Sequence, residues 1–71
     1  MKQIDTQGLS CPEPVIRACR AVHELSTGEK VEILVETGAA RENVLRAVRN
    51  LGCEADAVEH ESNFRIIVIK H

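Results

Sequence analysis

Tryptophan and tyrosine are missing from this chain, and phenylalanine occurs once, at Phe64. A core must therefore be built from Ile, Val, Leu and Ala, and no set of rings is available to stack the bases of a single strand. An excess of one charge is also lacking. Nine Lys and Arg stand against 11 Asp and Glu, giving a formal net charge of −2. That balance offers no electrostatic reason to bind nucleic acid or an anionic membrane, and neither is expected as a partner. No apolar run approaches a membrane span, and "MKQIDTQGLS" has no hydrophobic stretch of the kind that directs secretion. A cytoplasmic protein is expected. Cysteine is sparse and odd in number, at three. In a reducing compartment these are free thiols and not a disulfide scaffold. No Cys and His share the spacing of a structural zinc site, so neither a metal nor another cofactor is expected.

Proline is scarce as well, and its placement is informative. Both prolines fall in one four-residue stretch, "CPEP" (11–14). The surrounding segment, "DTQGLSCPEPVIRACRAV" (5–22), puts a cysteine between a glycine turn and the start of an amphipathic pattern.

The pattern along the chain is regular. "KQIDT" (2–6) is a short strand candidate. From Pro12 to about Ser26, Val15, Ala18, Cys19, Val22 and Leu25 form one apolar stripe at helical spacing. "KVEILVE" (30–36) alternates and is rich in β-branched residues, as a strand should be. Ala40, Val44, Ala47, Val48 and Leu51 mark a second helix closed at Gly52. "EADAVEH" (54–60) and "FRIIVIK" (64–70) are strands separated by "ESN". The order is β-α-β-α-β-β. Right-handed crossovers make the first two strands parallel and put both helices on one face, a two-layer α/β (α+β) sandwich. The last strand is apolar on both faces, with Phe64, Ile66 and Val68 on one side and Ile67 and Ile69 on the other. The face without helices therefore carries an apolar patch to which Leu34 contributes, or else a few scattered aliphatics.

The chemistry concentrates at Cys11. Pro12 suits a first helical position, where a missing N–H costs nothing, and Cys11 is then the N-cap. The helix dipole and the remaining amide donors, those of Glu13 and Val15, favour a thiolate there. Glu13 opposes this with its own negative charge. Pro14 disfavours the helical conformation at Glu13, so a helix start at Pro14 is the alternative. Cys19 lies roughly 12 Å further along the helix, too far for a disulfide with Cys11. It is expected in the core. Cys53 is expected at the opposite end of the sheet from Cys11.

At these residues the chain resembles a known family. "DTQGLSCPEPVIRA" is similar to the signature of the TusA/SirA/YedF-like sulfur carriers: an acidic residue, a Gly8–Leu9 turn, then Cys-Pro-x-Pro opening a helix. The likeness covers residues 1–71 as a single carrier domain. It implies a four-stranded mixed sheet of order 1-2-4-3 with the fourth strand antiparallel. It also implies a persulfide on Cys11, received from a sulfur-donor protein such as a cysteine desulfurase and passed to an acceptor protein. The destinations in the family include tRNA thiolation, cofactor synthesis and sulfur or selenium metabolism. The second half, "ETGAARENVLRAVRNLGCEADAVE", lacks the Asp-Asp-Pro-like stretch of the tRNA-thiolation members. It is more similar to the N-terminal domain of the YedF-type proteins.

Under this topology Gly38, Arg41 and His60 share the sheet edge of Cys11 and are candidate neighbours of the site, beside the motif residues Gly8, Leu9, Pro12, Glu13 and Pro14. Two other functional classes remain: a regulatory or adaptor module using the open sheet face, and a thiol redox sensor. The carrier is a transfer partner more than a self-sufficient enzyme.

Overall fold

The computed structural model describes residues 2–10 and 12–71. Six elements follow one another: β1 (Lys2–Asp5), α1 (Glu13–His23), β2 (Lys30–Val35), α2 (Gly38–Asn50), β3 (Glu54–His60) and β4 (Asn63–Ile69). The strands form one sheet in the order β1-β2-β4-β3. β1 and β2 are parallel, with Ile4 opposite Ile33, while β4 runs antiparallel to both β2 and β3. The expected order and mixed sense are those observed.

Alternation decides which face of the sheet is covered. Val31, Ile33 and Val35 of β2 and Ile66 and Val68 of β4 are fully buried beneath the helices. Their register partners Ala55 and Ala57 on β3 are small, which lets α2 approach that strand. The helices complete the core with Ala18, Ala21, Val22, Val44, Leu45 and Val48. On the other face Leu34, Ile67 and Ile69 are half-buried, and Val58 is 54% exposed. Glu32 lies among them with Arg65 at 3.7 Å. This face carries aliphatics and charges side by side.

The helical stripes sit slightly off the expected ones. In α1 the buried row is Pro14, Ala18, Ala21 and Val22, continued by Leu25. Cys19 is only half-buried, a departure from its expected place in the core. It lies one turn beyond Val15 on the flank of the helix, not on the line facing the sheet. Cys53 is buried in the core cluster. In α2, Leu45 is buried, while Leu51 is 45% exposed because it is the C-cap and lies past the last turn. α1 ends at His23 because Glu24 and Leu25 donate to carbonyls three residues back, Ala21 and Val22, tightening the chain out of the helix.

No helix among the described residues is long and apolar enough to cross a membrane.

Candidate functional site

The chain turns from strand to helix twice, at the same end of the sheet. The first connection runs from Thr6 to Pro12 and contains Cys11. The second is two residues, Glu36 and Thr37.

The first connection starts with a tight turn. The Leu9 N–H donates to the Thr6 carbonyl at 3.2 Å, and Gly8, the third residue of that turn, has φ +80°. A positive φ at this position is why the sequence needs glycine there, since a Cβ would meet nothing within 4 Å. The turn is fastened to the neighbouring strand. Thr6, 1% exposed, donates both its backbone N–H (3.0 Å) and its Oγ1 (2.5 Å) to the Leu34 carbonyl. The Gly8 N–H donates to the Glu36 carboxylate, and Gln7 N–H to Asp5 Oδ1 at 2.9 Å.

α1 then begins at Glu13, with Pro12 as its N-cap (φ −97°, ψ 16°) and no side-chain cap. The N-cap position that the sequence assigns to Cys11 is thus occupied by Pro12. The alternative start at Pro14 is one residue late, because the second helical position tolerates proline as the first does. Glu13 N–H is satisfied by the Ser10 carbonyl at 2.8 Å, a bond that closes the turn leading into the helix. The Glu13 side chain pairs with Arg17 at 3.5 Å along the helix surface. Cys11 itself lies outside the described residues.

α2 starts differently. Thr37 is extended (φ −126°, ψ 154°), and its Oγ1 accepts from Ala40 N–H at 3.0 Å. That is an ordinary hydroxyl N-cap.

Between the two starts lies a groove of about 200 Å³. One wall is Leu9, Ser10, Pro12, Pro14 and Val15; the other is Thr37, Ala39, Ala40 and Asn43. Its lining is largely apolar and its residues come from both strand-to-helix connections. Of the expected site residues, Leu9, Pro12 and Pro14 therefore meet at one place. Gly8 stands behind them in the turn. Gly38 and Arg41 belong to the first turn of α2 but do not line the groove. The Arg41 guanidinium lies 4.7 Å from the centroid of the Phe64 ring and 3.0 Å from Glu42 Oε1. Stacking and ion pairing hold it over the sheet end. His60 is exposed at the end of β3, opposite Asn63, with β4 and β2 between it and β1. The second wall comes from the loop that the parallel second strand is expected to bring to this edge, although the sequence singles out Gly38 and Arg41 in it and Thr37, Ala39, Ala40 and Asn43 line the groove instead. Thr37 was findable as a hydroxyl residue immediately before a helical pattern. Ala39, Ala40 and Asn43 carry no such signal, and Glu36 reaches Gly8 across 28 residues of sequence.

Among the described residues, no group of three or more His, Cys, Asp or Glu could hold a metal ion. No buried side-chain nitrogen or oxygen among them lacks a hydrogen-bond partner.

Comparison with known proteins places this architecture. Residues 2–70 match the family described as sulfurtransferase TusA. A protein of Methanocaldococcus jannaschii inferred to be a sulfur carrier is 39% identical over 71 residues, covering 99% of this chain and 95% of that protein. One from Archaeoglobus fulgidus, with the same inferred role, is 48% identical over 54 residues, 76% of this chain and 70% of its own. The crystal structure of a SirA-like protein from Desulfitobacterium hafniense superposes with a TM-score of 0.90 at 31% identity, covering 97% of this chain and 96% of the other. This chain belongs to the TusA family.

Proposed function

We propose that this protein is a sulfur carrier that holds sulfane sulfur as a persulfide on Cys11 and relays it between proteins. The observation that carries the proposal is the family match over residues 2–70, which includes the Cys-Pro-x-Pro segment. It is supported by the groove, since the chain neighbours of Cys11, Ser10 and Pro12, both line it. Two relatives that match over most of their lengths are themselves inferred to be sulfur carriers.

The chemistry needs one nucleophile and a place to dock. The Cys11 thiolate attacks the outer sulfur of a persulfide on a donor protein such as a cysteine desulfurase. The donor's S–S bond breaks as the new one forms, and the donor's cysteine leaves as a thiolate. In the second half-reaction an acceptor's thiolate attacks the outer sulfur on Cys11, and Cys11 leaves in turn. No oxidant or reductant is consumed, because sulfane sulfur moves at constant oxidation state. The exchange is placed in the cytoplasm, where the reducing environment keeps Cys11 free to receive sulfur.

Intact mass under non-reducing conditions tests this, after incubation with a cysteine desulfurase and cysteine. The wild-type protein is expected to gain one sulfur atom, about 32 Da, which a reductant removes. Cys11→Ser is expected to gain none. A folded wild-type protein that takes no sulfur from several donors, or a Cys11→Ser variant that still does, would overturn the reading.

A further inference from the structure

We propose that Glu36 is a positioning residue for Cys11, its carboxylate holding the connection in which the cysteine lies against the opposite wall of the groove. The proposal rests on the carrier reading above.

The turn Thr6–Leu9 closes its own hydrogen bond between its first and last residues, which leaves the Gly8 N–H directed outward. Glu36 takes that N–H, as an ionised acceptor, in a charge-assisted bond stronger than one between neutral groups. The carboxylate is well placed to do so because its own backbone is fixed on both sides. Leu34 and Val35 precede it in the ladder of β2, and the capped Thr37 follows it. Leu34 and Glu36 thus grip Thr6 and Gly8 respectively, from one strand end, five and three residues before Cys11.

Among the described residues the first turn of α2 shows no hydrogen bond to a neighbouring segment; Thr37 caps it internally, and Arg41 only stacks on Phe64. Without Glu36, the hydrogen bonds among the described residues that hold residues 8–10 are the turn bond and that of the Ser10 carbonyl. The groove wall formed by Leu9, Ser10 and Pro12 would then shift relative to Thr37 and Ala40. A misplacement of the reacting group by about 1 Å can cost as much as 100-fold in rate.

The test compares Glu36→Ala and Glu36→Gln with wild type in single-turnover sulfur transfer at saturating donor. Amide hydrogen exchange at Gly8 and thermal unfolding are followed alongside. Glu36→Ala is expected to slow transfer about fivefold to tenfold and to speed Gly8 exchange by at least about threefold. Glu36→Gln, which keeps an acceptor oxygen, is expected within about twofold of wild type in both. Both unfolding midpoints are expected within about 3 °C of wild type, because the tie is solvent-exposed. Transfer by Glu36→Ala at the wild-type rate would overturn the proposal, as would Glu36→Gln as slow as Glu36→Ala. Those outcomes are read only against a wild-type protein that does accept sulfur; a wild-type protein that does not would instead overturn the carrier reading, while Gly8 exchange would still report the tie.

Discussion

The two strand-to-helix connections solve one problem in opposite ways. Between β2 and α2 the chain uses two residues, and Thr37 caps the helix from within. Between β1 and α1 it uses a longer path with a positive-φ glycine, no side-chain cap and proline at the N-cap. Its stability is supplied from outside, by Leu34 and Glu36. The β2–α2 connection is a local structure; the β1–α1 connection is a tertiary one.

That comparison can be broken by substitution. Gly8→Ala should have the largest effect. Forcing a Cβ into a left-handed backbone costs about 1–2 kcal/mol, which lowers the unfolding midpoint of a domain this size by on the order of 10 °C. Sulfur transfer should fall with it, since the same turn leads to Cys11. Thr37→Ala should cost about 1 kcal/mol, the usual value of a lost hydroxyl cap, and lower the midpoint by roughly 4–8 °C. Its transfer rate, measured well below the midpoint, should fall less than that of Gly8→Ala, because Thr37 lines the groove but the Thr6–Pro12 connection stays in place. Equal losses of transfer in the two variants would erase the distinction between the connections.

The smallest effect is expected at the far end of α1, away from both connections. There Lys2 Nζ lies 2.9 Å from Glu24 Oε2, and its hydrogen bond and charge hold the Glu24 carboxyl below its ordinary value of 4.5. A carboxyl lowered in the folded state stabilises the fold fully above about pH 4.5 and loses that contribution as pH falls through the folded value. Lys2→Met should therefore be slightly less stable than wild type at pH 7, and the difference should vanish in strong acid. Both side chains are about half exposed, so added salt should shrink it too. Denaturant midpoints at the two pH values check the sign.

Much of the fold was legible in the residues. The alternation of Val31, Ile33 and Val35 and the helical spacing of Ala18, Val22, Val44 and Val48 are repeated signals that survive an error at any one position. The sheet order came from the family resemblance, because spacing says nothing about which strand inserts beside β2. Cys19 and Leu51 were misplaced for a shared reason. A helical stripe read from sequence is wider than the line that faces the sheet, so residues at its flank or beyond its last turn count as core when they are not. At the site, the glycine turn and the prolines were legible because each constrains its own backbone. The helix start shifted by one residue because two prolines permit several registers. Glu36 was invisible: its partner is a backbone N–H distant in sequence, and no local pattern marks such a pair.

The outer strand β3 has a consequence for behaviour in crowded solution. One side of its backbone has no partner strand in this sheet, and every such edge invites another chain to extend it. Here the exposed residues along β3 include Glu54, Asp56 and Glu59, separated by the small Ala55 and Ala57. A second copy pairing along this edge would bring carboxylates against carboxylates, with Val58 the exposed bulky aliphatic on the strand to set against them. The charge carried on this strand thus opposes pairing through the β3 edge.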